Sequence, residues 1–269
     1  METSVGKKKG LSGSTLKIIA IVTMFIDHVG AGIGGRLLWK TGYMDLALAG
    51  DINGVIEWQM EYGLLLFVYS IMRMIGRLGF PIFCFLLIEG FAHTKDVKKY
   101  ALRLGAFALI SEIPFDLAFK GQVLEFTYQN VFFTLFFGLL ALVGLQAIEK
   151  RQSDMHEKTS KLVNVLASIG VVLVFCVIAE TMRTDYGAIG VICIVVIYLF
   201  RKKKIAQIIA GCVAFCWEIT APLAFIPIGF YNGERGMKLK YFFYAFYPIH
   251  LLLIYMVAAL LGLGHYPAA

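Results

Sequence analysis

Asp27 and His28 stand side by side near the end of a long apolar run, LKIIAIVTMFIDHVG. An ionisable side chain within a membrane span costs about 2.5–3.5 kcal/mol on insertion scales, so such residues mark sites by default. Neighbours on a helix point roughly 100° apart and cannot share a face. One of the pair therefore faces a cavity while the other caps or braces. Histidine accepts and returns a proton near neutral pH, which makes His28 a candidate general base. The plainer reading is a ring packed at the membrane interface.

Further polar residues recur at helical spacing. Glu89 and His93 are four apart and stack on one face, as do Glu112 and Asp116 with Pro114 between them. The two carboxylates of the second pair can share a proton, bind a cation, or pair with Arg73, Arg77 or Arg103. Asn130 and Thr134 repeat the spacing and suit hydrogen bonds between helices. Near the C-terminus, NGERGMKLKYFFYAFYPIH combines Arg235, Lys238 and Lys240 with Tyr247 and His250. Glycines around Arg235 let backbone and guanidinium approach a phosphate closely. A cation-rich loop followed by an aromatic belt is the alternative reading.

The elements that must position these residues are read from composition. Of 269 residues, 59% are hydrophobic and only 16% are charged. Soluble domains are about 25% charged, so lipid must be the outer solvent. With six prolines and no polar tract, residues 1–269 form a single integral membrane domain. The expectation is an all-α, polytopic bundle of about 8–10 spans, some broken by proline. The apolar runs are Leu16 to Ile33, Tyr62 to Phe91, Tyr100 to Phe119, Asn130 to Ile148, Leu162 to Thr181, Tyr186 to Phe200, Ile205 to Tyr231 and Tyr241 to Leu263. The second is too long for one straight span and holds Arg73, Arg77 and Pro81, so a kink or two short helices are expected there. The first run has no cleavage-site pattern after it and reads as a retained span.

Charge sets orientation. Lys7 to Lys9 precede the first span and place the N-terminus in the cytoplasm, in a multi-pass protein of the cell membrane. Clusters at Lys95, Lys98 and Lys99, at Lys150 and Arg151, and at Arg201 to Lys204 fall on the same side if the spans alternate. The loop with Asp45, Asp51, Glu57 and Glu61 falls on the other. The segment 232–240 lies outside if Ile205 to Tyr231 is one broken span. It returns to the cytoplasm, which its cations favour, if that run is two half-length helices. The net charge of +7 is accounted for by these clusters, so no nucleic-acid partner is expected. The five cysteines lie in apolar runs, and no Cys/His set demands a metal.

Several blocks in order carry a resemblance: the D-H-x-G of Asp27 to Gly30, GRLGFPIFCFLLIEGFAHT with KKYALRL, ALISEIPFDLAF, NVFFTLFFGLLAL, DYGAIGVICIVVIYLFR and NGERGMKLKYFFYAFYPIHLLLIY. The chain resembles the TraX family, whose named member acetylates the N-terminus of F-type pilin. More distantly it is similar to the acyltransferase-3 and heparan-α-glucosaminide N-acetyltransferase superfamily. The resemblance implies transfer of an acetyl or other acyl group from cytosolic acyl-CoA to an amine or hydroxyl, on a peptide, sugar or small molecule. By that resemblance His28 is the catalytic histidine, Asp27 orients it and Arg77 stabilises the oxyanion. Arg103, Arg235, Lys240, Tyr247 and His250 would hold acetyl-CoA, and Glu89, His93, Glu112, Asp116 and Asn130 would contact substrate. The insert from Arg36 to Glu61 departs from the pilin acetylase and leaves the acceptor open. A proton-coupled transporter, using the same buried acids and histidines as a relay, is the rival from another class.

Overall fold

A computed structural model describes residues 9–153, 159–237 and 240–264. Helix α1 (Gly13–Val29) begins at Ser12, whose side chain accepts from the Thr15 amide. It continues through a π-helical turn (Gly30–Gly34) into α2 (Gly35–Lys40). The short α3 (Tyr43–Ala49) leads to α4 (Ile52–Gly76), which carries a kink at Tyr62. Then come α5 (Gly79–His93), α6 (Val97–Phe119), α7 (Val131–Ser153), α8 (Thr159–Thr181), α9 (Gly187–Leu199), α10 (Lys204–Ala214), α11 (Phe225–Gly229) and α12 (Lys240–Leu260). Among the described residues there is no strand, only isolated bridges such as Leu11 to Tyr231. The fold is an all-α polytopic bundle.

Among the described residues, five helical stretches are long and apolar enough to cross a membrane: Gly13–Lys40, Ile52–His93, Val131–Arg151, Lys161–Thr181 and Phe242–Leu260. Helix α6 matches them in length but carries Lys98, Lys99, Arg103, Glu112 and Asp116. Helix α5 is buried around nearly its whole circumference, from Phe80 to Phe91. A helix apolar on every side belongs at the centre of a bundle, and α1, α7 and α9 pack around it. Helix α8 is peripheral, with Leu162, Leu166, Leu173 and Val177 more than half exposed, as lipid-facing residues should be.

One long run differs from the sequence expectation, and a second is decided between its two readings. The break in Tyr62–Phe91 falls at Arg77 and Leu78 rather than at Pro81, which occupies the first turn of α5. There its missing N–H would have had no helical partner anyway. The run Ile205–Tyr231 is not a span. Helix α10 turns back through a 3-10 turn (Ala221–Ala224) into α11, and Lys204 Nζ donates to the Tyr231 carbonyl at 3.0 Å, closing a re-entrant hairpin. Gly211 allows this fold-back, because a side chain there would enter the ring of Phe225.

The hairpin decides where the 232–237 segment goes. Leu11 donates to the Phe230 carbonyl at 2.8 Å, Gly13 to Glu234 at 2.7 Å and Ser14 to Arg235 at 2.9 Å. The loop is thus strapped to the start of α1, as the two-half-helix reading required. Arg201 meets Glu149 at 2.7 Å and Lys204 reaches Tyr231, while Lys17, Lys95, Arg103 and Arg235 line one cavity, so these cations lie at one end of the bundle. At that end Asp96 caps α6 by accepting from the Lys99 amide at 2.9 Å, which holds its carboxyl below the usual carboxylate range. A depressed carboxyl stabilises the fold above its unfolded value of about 3.9, and the benefit vanishes as pH falls through and below it. Asp96→Ala should therefore lower the melting temperature at pH 7, with the difference from the parent shrinking as the detergent buffer is acidified.

Candidate functional site

A cavity of about 680 Å³ opens at the basic end. Its mouth carries Lys17, Lys95, Arg103 and Arg235, together with Glu89 and His93. Two helical ladders lead inward from there. On α1 the lining residues Lys17, Ile21 and Met24 are spaced four and three apart, and His28 is next on the same face. On α12 the lining residues Phe243 and Tyr247 are followed by His250 at the same alternation. The cavity floor, formed by Ile21, Met24, Phe132 and Tyr247, lies one helical turn short of His28.

His28 and His250 meet beyond that floor. Nδ1 of His28 is 2.7 Å from Nε2 of His250, and Nδ1 of His250 is 2.8 Å from the Phe246 carbonyl oxygen. The rings are parallel to within 5° with centroids 5.0 Å apart. Parallel rings whose facing nitrogens are so much closer than their centres lie edge to edge in one plane, not face to face. That is the geometry of an in-plane imidazole–imidazole hydrogen bond. Tyr247 and Phe119 wall the His28 ring edge-on at 5.7 and 5.3 Å. His250 is 2% exposed.

Asp27 points elsewhere, as the 100° offset demands. Its Oδ2 accepts from Arg73 at 2.9 Å, and Gly76 lies so close to the carboxylate that no β-carbon fits between them. Oδ1 is buried and has no hydrogen-bond partner among the described residues. Arg77 binds Glu218 at 3.2 Å, and Thr220 donates to the Met74 carbonyl at 2.6 Å, so the tip of the re-entrant hairpin docks onto the α4–α5 break. Tyr128 donates to Asp185 nearby, and Tyr186 stacks on Phe80 at 3.6 Å.

The residues singled out in the sequence therefore divide into three places. Arg103, Arg235, Glu89, His93 and Tyr247 line the cavity, while His250 sits behind its floor with His28. The Lys240 side chain lies outside the described residues. Arg77 and Asp27 belong to the ion-paired cluster at the helix break, not to the cavity wall, and Asp27 makes no bond to His28. Of the readings open to Glu112 and Asp116, pairing with an arginine is not seen among the described residues. Glu112 accepts from the Asn130 side chain and amide, and Asp116 accepts from the Glu125 amide at 2.8 Å. Asn130 also donates to the Ala108 carbonyl and caps α7 through the Phe132 amide, and Thr134 bonds Thr184. Asn130 and Thr134 thus make the interhelical links their spacing suggested. Sequence reasoning passed over Lys17, Lys95, Tyr100 and Tyr231. The 17–21–24–28 spacing was the available signal for Lys17.

The chain is a polytopic all-α membrane bundle with a cation-mouthed cavity and, one helical turn beyond its lining, a histidine pair. The chain belongs to the TraX protein family, whose model matches residues 12–258. It is similar to the "Probable fimbrial assembly protein FimC, serogroup H1" of Dichelobacter nodosus, with 28% identity over 90% of this chain and 94% of that relative. No solved structure matches it.

Proposed function

We propose that this protein transfers an acyl group, acetyl in the simplest case, from acyl-CoA to an amine or hydroxyl acceptor. The observation that carries the reading is the pair of ladders running from a cationic mouth to His28. Lys17 and His28 are eleven residues apart, a climb of about 16 Å along α1. A donor matched to that shape has anionic phosphates at one end, a long slim arm, and a reactive carbonyl at the other end. Acyl-CoA has this form. Within the cavity Arg103 Nε is a buried donor with no partner among the described residues, which suits it to an incoming phosphate oxygen. Arginines grip phosphate through paired N–H groups.

The basic end faces the cytoplasm on this reading, following the positive-inside rule, and the donor enters from the cytosol. His28 takes a proton from the acceptor amine or hydroxyl as that atom attacks the thioester carbon. The new C–N or C–O bond forms, the C–S bond breaks, and the proton passes from His28 to the departing coenzyme A thiolate. The histidine ends as it began. The aromatic walls of Tyr247 and Phe119 limit the water that could compete for the thioester. The fimbrial name of the similar protein and the pilin substrate implied by the resemblance favour a filament-subunit peptide as acceptor.

Arg235 provides the test of the donor site. Its backbone carbonyl holds Ser14, but its side chain faces the cavity, so Arg235→Ala should fold normally. Loss of a charge-assisted contact worth about 1.5–3 kcal/mol predicts acetyl-CoA binding weakened roughly 10-fold or more in isothermal titration. Unchanged affinity in the folded variant would remove Arg235 from the donor site.

A further inference from the structure

We propose that His250 is a positioning residue that fixes His28 in the tautomer whose bare Nε2 can act as the base. This deepens the acyl-transfer reading and rests on it for its catalytic consequence, but the tautomer itself follows from the hydrogen bonds. Phe246 anchors the pair. Its carbonyl oxygen can only accept, so His250 Nδ1 carries a proton and donates to it across 2.8 Å. A neutral His250 then has an unprotonated Nε2. That nitrogen is 2.7 Å from His28 Nδ1, so Nδ1 must bring the proton. A neutral His28 with Nδ1–H has its lone pair on Nε2, and the two coplanar rings hold that nitrogen in one direction.

The alternative is a doubly protonated His250, which would reverse the bond and put the proton of His28 on Nε2. The surroundings oppose it. His250 is almost fully buried, and its neighbours are Phe25, Phe246 and Tyr247. From α6 the pair meets Phe119. On α1, Asp27 next to His28 is paired with Arg73 of α4. A buried cation with no counter-ion is costly. The relay therefore resembles the base–orienter arrangement of hydrolytic triads, with a neutral imidazole where a carboxylate commonly stands. When His28 becomes an imidazolium during transfer, Nδ1–H still finds an acceptor in His250, so the transient charge keeps a partner.

The test combines a spectroscopic readout with kinetics. Nitrogen-15 histidine NMR of the whole protein in lipid at pH 7.5 reports each ring nitrogen as protonated or bare, with His28 signals assigned by their loss in His28→Ala. The expected result is protonated Nδ1 and bare Nε2 at His28. In His250→Leu a mixture of tautomers should appear, with kcat for acetyl-CoA turnover reduced at least 10-fold and KM for acetyl-CoA unchanged. His250→Gln, whose amide oxygen can replace the Nε2 acceptor, should recover much of both. A His28 with protonated Nε2 in the parent protein overturns the proposal, whether or not any variant folds. Equal behaviour of His250→Gln and His250→Leu in kcat also overturns it. A parent protein with the expected tautomer that never consumes acyl-CoA would instead refute the acyl-transfer reading and leave the relay standing.

Discussion

Replacing His28 with alanine is expected to lower acetyl-CoA turnover by about 100- to 10,000-fold, the usual worth of a positioned general base. Acetyl-CoA affinity should change little, because Lys17, Arg103 and Arg235, which grip the donor's phosphates, line the mouth, about 16 Å along α1 from the histidine. The two effects separate cleanly: free-thiol release measures turnover, and titration calorimetry measures binding. The variant should also stay folded. His28 is only partly buried, and its loss leaves His250 Nε2 as a neutral acceptor that one water can satisfy. A parallel fall in affinity and turnover would mean that His28 grips the donor instead of acting on it. Undiminished thiol release would remove it from the chemistry.

The second large effect concerns stability. Arg73→Leu leaves the Asp27 carboxylate at the helix break without its counter-charge, and breaking a buried pair by removing one partner costs about 3–5 kcal/mol. The side chains of Arg73 and Asp27 are 26% and 16% exposed, so solvent can offset only part of that loss. The double variant Arg73→Leu with Asp27→Asn removes both charges and should recover most of the lost stability in chemical unfolding from detergent. This outcome distinguishes two roles for Asp27. If Asp27 instead tuned His28, as the resemblance implies, Asp27→Asn alone would cut turnover while leaving the unfolding midpoint in place. The geometry points to the first result: Asp27 is bonded to Arg73, and His28 is oriented by His250.

Much of this arrangement was legible in the sequence, and the reasons are local. The divergence of Asp27 and His28 follows from helical pitch alone. The re-entrant course of residues 204–229 was one of two readings that the prolines and the Arg235 cluster allowed, and it needed the strap between Leu11–Ser14 and the 230–235 segment to be decided. A break in Tyr62–Phe91 was expected at Pro81 but falls at Arg77 and Leu78, because a proline in a first helical turn disturbs nothing. Long-range pairings were out of reach. His28 and His250 are 222 residues apart, and Arg77 finds Glu218 only because a hairpin tip reaches the centre of the bundle. The oxyanion role of Arg77 came from the resemblance alone, and its pairing with Glu218 comes into view only with the hairpin. The partners of Glu112 and Asp116 were out of reach for a similar reason. Their partners are an asparagine side chain and a loop amide, and nothing in their spacing favours those over an arginine.

The most direct measurement is photo-crosslinking with an acyl-CoA whose acyl group carries a diazirine, followed by peptide mapping. The thioester end of the donor should label the inner turns of the two ladders, Ile21 to His28 on α1 and Tyr247 to His250 on α12, and an excess of acetyl-CoA should suppress that label. Label confined to peripheral α8, or label that acetyl-CoA does not compete away, would contradict a donor lying in this cavity with its carbonyl toward His28. The proton-coupled transport reading would then take its place.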